Sequence, residues 1–148
     1  MRRSSPSTRS YLLDNNVFVA AINNPLRQTA TLRLILHMIR DETVSLVGNI
    51  YLAEEMIRYA ERYPSNMVAS LIEALASKME IVEVEERFLK ICRNYMGTDD
   101  PTDLFNAATC LQTSATLVTN DRHFNRIRNE RIIRVLSITD AVNELIGM

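Results

Sequence analysis

A carboxylate set in the middle of an apolar run constrains this chain more than any other feature. Tyr11–Ala20 reads YLLDNNVFVA: apolar residues, an interruption at Asp14-Asn15-Asn16, then Val17, Phe18, Val19 and Ala20. A buried strand is a near-continuous apolar segment because both of its faces are covered. An isolated charge inside one is very costly. The economical solution ends the strand at Asp14 and turns its carboxylate into the crevice outside the carboxyl end of the sheet, where open α/β folds bind ligands. The same arrangement recurs late in the chain. Ala115–Thr119, ATLVT, is a second apolar strand, closed by Asn120-Asp121. Packing alone does not account for two aspartates at strand ends, and Thr119 is placed to hold Asp121 through its hydroxyl.

Between these two stretches the pattern alternates. Asn23-Asn24-Pro25 marks a turn after the first strand, and Leu32, Ile35, Leu36 and Ile39 predict an amphipathic helix over about 26–40. Thr43–Val47 predicts a short strand, followed through Gly48 and Asn49 by a helix over Ile50–Glu61. Glu54 and Glu55 lie near its beginning, about 100° apart around the axis. Glu55 borders the face defined by Leu52, Met56 and Tyr59 more closely, which makes it the better candidate for the crevice. Acids in the first turns of a helix also complement its dipole. Ser65–Met79 reads as a capped helix, Glu80–Val84 as a strand and Glu86–Tyr95 as a helix, all of them scaffold. Asp100-Pro101-Thr102-Asp103 then has the form of a helix start, which capping alone would explain. However, Asp103, Asn106, Ala107 and Cys110 share one face of a tightly packed helix. Asp103 therefore projects from its amino end toward the crevice, and Asn106, one turn below, is placed to fix a carboxylate or a water. His37 reads as a helix-face residue and His123 as a surface-loop residue. Arg122, Arg126, Arg128, Arg131 and Arg134, with Phe124 and Ile127 between them, form a basic ridge suited to phosphate contacts or to solvent. Arg134–Leu136 predicts an edge strand and Ile138–Ile146 a closing helix. Short apolar strands alternating with helices imply a three-layer α/β/α fold with a mostly parallel sheet.

The 148 residues suit one domain, with 1–10 a loose basic tail and 11–148 the folded unit. No apolar run reaches the ~20 residues of a membrane span. The amino terminus lacks the apolar segment of a signal peptide, so a cytoplasmic location is expected. Cys92 and Cys110 have neither close spacing nor Cys/His companions, and read as reduced, buried thiols. If four acids were neutralised by bound cations, the formal net charge of −1 would become +3. The basic residues are nearly all Arg, which suits bidentate phosphate contact. Several classes fall away. A phosphoacceptor receiver needs a lysine after a late strand, and Lys78 and Lys90 are the only lysines. An Asp-x-Asp phosphatase fails because position 16 is Asn. Three glycines, Gly48, Gly97 and Gly147, build neither a P-loop nor a dinucleotide fingerprint.

Taken in order, LLDNNVFVA, the helical AEEMIRYA, DPTDLFNAATC and ATLVTNDRHF resemble the PIN-domain family of ribonucleases. The resemblance runs from about Tyr11 to the closing helix. It implies metal-binding, catalytic acids at Asp14, Glu55, Asp103 and Asp121, with small polar helpers at Asn16 and Thr119. Glu54 stays open as an alternative to Glu55, and Asp100 as a replacement for or supplement to Asp103. The implied chemistry is RNA phosphodiester hydrolysis with Mg²⁺ or Mn²⁺, hard ions that take oxygen ligands. One ion would acidify and aim a water, and a second, where two bind rather than one, would stabilise the leaving oxygen. Family members act as toxins of toxin–antitoxin pairs, which implies an antitoxin protein partner, or in RNA maturation; the chain does not choose between them. Arg122, Arg126 and Arg128 are the candidate RNA contacts. Apolar helical surface within 50–80 suits a homodimer, and no membrane is involved. The rival reading is a non-catalytic PIN-like module that binds RNA or a partner without cutting.

Overall fold

The computed structural model describes residues 9–23, 29–97 and 99–147. Five strands, β1 (Arg9–Leu13), β2 (Val44–Gly48), β3 (Met79–Ile81), β4 (Thr116–Val118) and β5 (Val135–Leu136), form one sheet. Its order is β3-β2-β1-β4-β5 and every pairing is parallel. The expected α/β architecture is therefore present, with a sheet parallel throughout. The helices are α1 (Asn15–Asn23), α2 (Thr29–Arg40), α3 (Ile50–Arg62), α4 (Asn66–Lys78), α5 (Glu86–Arg93), α6 (Pro101–Thr113), α7 (Asn125–Asn129) and α8 (Ile138–Ile146).

Chain order dictates the layers. From β1 the sheet grows outward through β2 to β3, then reverses so that β4 joins the other side of β1. Right-handed crossovers place the connections before and after such a reversal on opposite faces. Accordingly α1, α2, α3, α4 and α8 pack among themselves, while α5 packs on α6. The reversal opens a crevice between the carboxyl ends of β1 and β4, the usual ligand position in sheets of this kind. The central strands are apolar throughout their buried parts: Tyr11, Leu12 and Leu13 in β1, Leu46 and Val47 in β2, Leu117 and Val118 in β4.

Several boundaries differ from those read in the sequence, each for a local reason. The strand begins at Arg9 rather than Tyr11, because Arg9 N donates to Thr43 O at 2.9 Å. The rest of the expected tail, residues 1–8, and the turn at Asn24-Pro25 lie outside the described residues. The apolar segment after Asp14 is helical and forms α1. Val17, Phe18 and Ala21 are buried at helical spacing, and Asn15 N bonds Asp14 Oδ1 at 2.8 Å. Thr43 is held in a turn by Asp41 Oδ1, through its amide at 2.9 Å and its hydroxyl at 2.8 Å, so β2 starts one residue late. β3 stops at Ile81 rather than Val84: Val82 N makes a last bond to Gly48 O at 2.8 Å, and beyond Gly48 the partner strand has turned toward α3. At Gly48 the approach is close enough that a Cβ would lie 2.3 Å from Met79 Sδ. α8 spans the nine residues expected of it. Cys92 and Cys110 are free and buried. No helix among the described residues is long and apolar enough to cross a membrane.

Candidate functional site

Asp14 follows the last residue of β1. It is 6% exposed, and its backbone amide donates to Val118 O at 3.1 Å, tying the ends of β1 and β4 together. Its carboxylate is gripped by Thr119, whose hydroxyl donates to Asp14 Oδ2 at 2.8 Å. The same hydroxyl accepts from Asn16 Nδ2 at 3.2 Å and from the Asp121 amide at 3.0 Å. One donor and two acceptor positions exhaust what a hydroxyl offers. The Thr119 hydroxyl thus holds Asp121, through its backbone amide, and grips the Asp14 carboxylate as well. Asn16 acts on Asp14 through Thr119.

Asp103 enters from the first turn of α6. Asp100 caps that helix, accepting from Thr102 N at 2.9 Å, and Pro101 occupies its first turn, so the capping reading of this stretch holds for Asp100. Asp103 is 6% exposed and faces inward. Its Oδ2 lies 2.9 Å from His123 Nδ1. Asp121 accepts the His123 amide through Oδ1 at 2.9 Å, and the same oxygen lies 3.3 Å from His123 Nδ1. Ligand-capable atoms of Asp103, Asp121 and His123 all fall within 4.8 Å of one another. His123 is therefore a member of the acidic cluster rather than the free loop residue the sequence suggested. Its spacing from Asp121 was visible, but its reach across to α6 depends on the turn at Arg122–Phe124.

Of the two adjacent glutamates on α3, Glu55 is partly buried and Glu54 is exposed. Glu55 bonds Thr102 and feels the charges of Asp100 and Asp103. Asp103 is consequently the shared neighbour, its charge acting on both Asp14 and Glu55 while it feels those of Asp100 and Asp121. The junction is braced by Asn49, a residue without an assigned role in the sequence reading. Asn49 caps α3 by accepting from Leu52 N at 3.0 Å, and its amide donates to Asn106 Oδ1 at 2.9 Å and Thr109 Oγ1 at 3.0 Å. Asn106 thus accepts from Asn49 through Oδ1, while its Nδ2 is buried without a hydrogen-bond partner among the described residues.

Burial pushes the Asp14 carboxyl up to about 6, with the charges of Asp103 and Asp121 adding to the rise and Thr119 opposing it. Burial likewise raises Asp103, against the His123 contact, and raises Glu55, against the Thr102 bond. The Asp103 contact, and then the Asp121 charge, raise His123. Among the described residues no Lys or Arg forms an ion pair with Asp14, Asp103 or Asp121. Carboxylates crowded in this way are stabilised by a bound cation, and their oxygens fit a hard divalent ion. Asp103, Asp121 and His123 bring their ligand-capable atoms together, and Asp14 lies near enough to feel the charges of Asp103 and Asp121.

The arginines read as one ridge lie at different places in the fold. Arg134 pairs with Glu144, which also accepts from Tyr11 OH at 2.9 Å, and it precedes β5 at the opposite end of the sheet. Arg128 shares a surface cavity with Arg131 and Arg134 near the start of β5. Arg126 lies over the Tyr95 ring, 5.5 Å from its centroid, and Arg122 is exposed beside Asp121.

Comparison with known proteins follows the same lines. The family model of the PIN domain matches residues 11–130. The fold is similar to the crystal structure of VapBC2 from Rickettsia felis bound to a DNA fragment from their promoter, with a TM-score of 0.64 and 18% identity over 86% of this chain and 98% of that one. It is also similar to VapBC-1 from nontypeable Haemophilus influenzae, with a TM-score of 0.63 and 19% identity over 88% of this chain and 98% of that one. No curated protein matches the sequence.

Proposed function

Since the chain belongs to the PIN-domain family, we propose that it is a metal-dependent endoribonuclease, and that it serves as the toxin of a toxin–antitoxin pair. Asp14, Asp103 and Asp121 are assigned as the residues that hold Mg²⁺ or Mn²⁺, with Glu55 completing the acidic set. Held there, such an ion would supply a more acidic water and offset negative charge on the phosphate and leaving oxygens. The chain's own contribution is positional. Thr119 holds the Asp14 carboxylate in one orientation, and Asn16 fixes the Thr119 hydroxyl. His123 spans Asp103 and Asp121, keeping acids from two separate elements in register. Asn49 locks the start of α3 to α6, which sets the distance from Glu55 to Asp103.

The observation that carries this reading is the buried Asp14 carboxylate, held by Thr119 close to Asp103 and Asp121 and without an ion-pair partner among the described residues. A fold has little reason to keep such a group unless something positive binds there. The toxin role rests on the likeness to the two VapBC structures, and it implies a protein antitoxin as partner. Incubating the purified protein with defined RNAs tests the activity: cleavage is expected with Mg²⁺ or Mn²⁺, none in chelator. Asp14→Asn and Asp121→Asn should each lower the rate by at least ~10²-fold, the scale on which a single electrostatic contact to the reacting groups is lost. RNA that is bound but never cut by the wild type, whichever ion is supplied, would favour the non-catalytic module.

A further inference from the structure

Beyond the acids, α3 carries a second feature that the family match does not assign. Glu55, Arg58 and Arg62 are spaced i, i+3 and i+7, so they share one face of the helix. Together with Asn15 and Tyr59 they line a polar surface cavity of about 190 Å³. Glu55 belongs both to this cavity and to the acidic set, so the two are continuous. Both arginines are exposed, and among the described residues neither forms an ion pair, although Glu54 and Glu61 are on the same helix. Favourable interaction with the helix dipole accounts for Arg62 in the last turn, and Arg58 lies near enough to Glu55 to act on its charge, which leaves both guanidinium groups exposed to a further anion. The Oδ1 of Asn15, at the cavity wall, is buried without a partner. Past Arg62 the helix ends on Tyr63, a residue 48% exposed whose ring packs on Tyr59 at 4.6 Å between centroids. Tyr59 is anchored in turn against Phe18 at 5.8 Å.

We propose that this face of α3 is the track for single-stranded RNA leaving the acidic crevice, with Arg58 and Arg62 on successive backbone phosphates and Tyr63 under a base. The proposal rests on the nuclease reading for its direction, since it places the strand so that one end reaches Glu55. Guanidinium groups match phosphate oxygens in bidentate geometry. Two of them one turn apart along a helix, a rise of ~6 Å, can follow a backbone as it passes. An exposed ring stacks on any base and selects for unpaired strands, because a duplex hides its base faces. The arginines at the far end of the sheet lack this continuity with the acids.

Anisotropy of a fluorescein-labelled 12-nucleotide single-stranded RNA, titrated in chelator across a salt series, tests the track without cleavage. Arg58→Gln with Arg62→Gln should weaken binding at low salt by ~10-fold or more and reduce the salt slope by ~1.4, the value for two single-strand phosphate contacts. Tyr63→Ala should weaken binding by ~5-fold or more with the slope unchanged. Arg128→Gln with Arg131→Gln should bind as the wild type does, and a duplex of the same sequence should bind more weakly than the single strand. No binding by the wild type overturns the proposal, as does equal binding by the Arg58/Arg62 double variant or equal loss in the Arg128/Arg131 pair. Binding that behaves as expected in a protein that never cleaves RNA would sink the nuclease reading and leave the track standing. Cleavage by the wild type alongside a double variant with unaltered affinity would do the reverse.

Discussion

At the scale of single residues the site depends on one hydroxyl. Thr119 is 3% exposed and its hydroxyl makes three hydrogen bonds, to Asp14, Asn16 and the Asp121 amide, drawing together the residue after β1, the start of α1 and the loop after β4. Thr119→Val keeps the shape and removes all three bonds. Three buried or half-buried polar groups then lose their partner, each loss costing about 1–3 kcal/mol where no water can replace it. The variant should therefore melt lower than the wild type by calorimetry. Its metal affinity or cleavage rate should fall ~10–100-fold, as is typical when the partner of a metal-holding carboxylate is lost. Thr119→Ser, which keeps the hydroxyl, should recover most of the activity. If Thr119→Val cleaved RNA as fast as the wild type, Asp14 would not need orienting and its assigned role would fail.

Among the elements, the junction of α3 with α6 decides where Glu55 stands relative to Asp103, and Asn49 makes it. Asn49→Ala removes a cap, about 1 kcal/mol, and two buried bonds to Asn106 and Thr109. Asn49→Ser retains the cap alone. Denaturant melts should rank wild type above Asn49→Ser and Asn49→Ser above Asn49→Ala, with a total loss of about 2–4 kcal/mol for the alanine. Equal stability of Ser and Ala variants would mean the bridge to α6 contributes nothing. This junction also shows what a sequence reveals and what it hides. α8 and the α6 start were readable because local signals agree: Ser137 caps α8, while Asp100 and Pro101 open α6. α1 was not assigned, since Val17, Phe18 and Val19 are strand-formers whose helical spacing matters only once Asp14 ends β1. β3 was read too long because its length is set by the end of its partner strand, not by its own residues. Asp14, Asp103 and Asp121 were visible as acids at the ends of apolar elements. The contact of His123 with Asp103 and the brace at Asn49 were not, because each joins elements distant along the chain.

For the molecule as a whole, the parallel sheet drives several acids into one crevice, and that makes folding sensitive to pH in a specific direction. Asp14 rises from an ordinary 3.8 to about 6, so on increasing pH the unfolded chain loses this proton first. Stability from this group is then highest below about 4, falls between about 4 and about 6, and levels off above. Asp103 and Glu55 are raised too and act in the same sense. His123, also raised, stabilises while protonated and loses that contribution as pH climbs through its elevated value. Glu144, lowered by Arg134, works the other way, so the wild-type curve alone would mix the two. Comparison with Asp14→Asn isolates the effect. In chelator the variant should gain on the wild type as pH rises from 4 to 6, by about 1–3 kcal/mol for a shift of this size. That corresponds to ~2–4 °C in Tm for each kcal/mol in a chain of this length. Adding Mg²⁺ or Mn²⁺ should close the gap by raising the wild type, more at pH 7.5 than at pH 5, because the ion binds only ionised carboxylates. Parallel melting curves for the two proteins in chelator, or a Mg²⁺ effect of the same size in Asp14→Asn, would show that Asp14 is neither strained by its neighbours nor relieved by a cation.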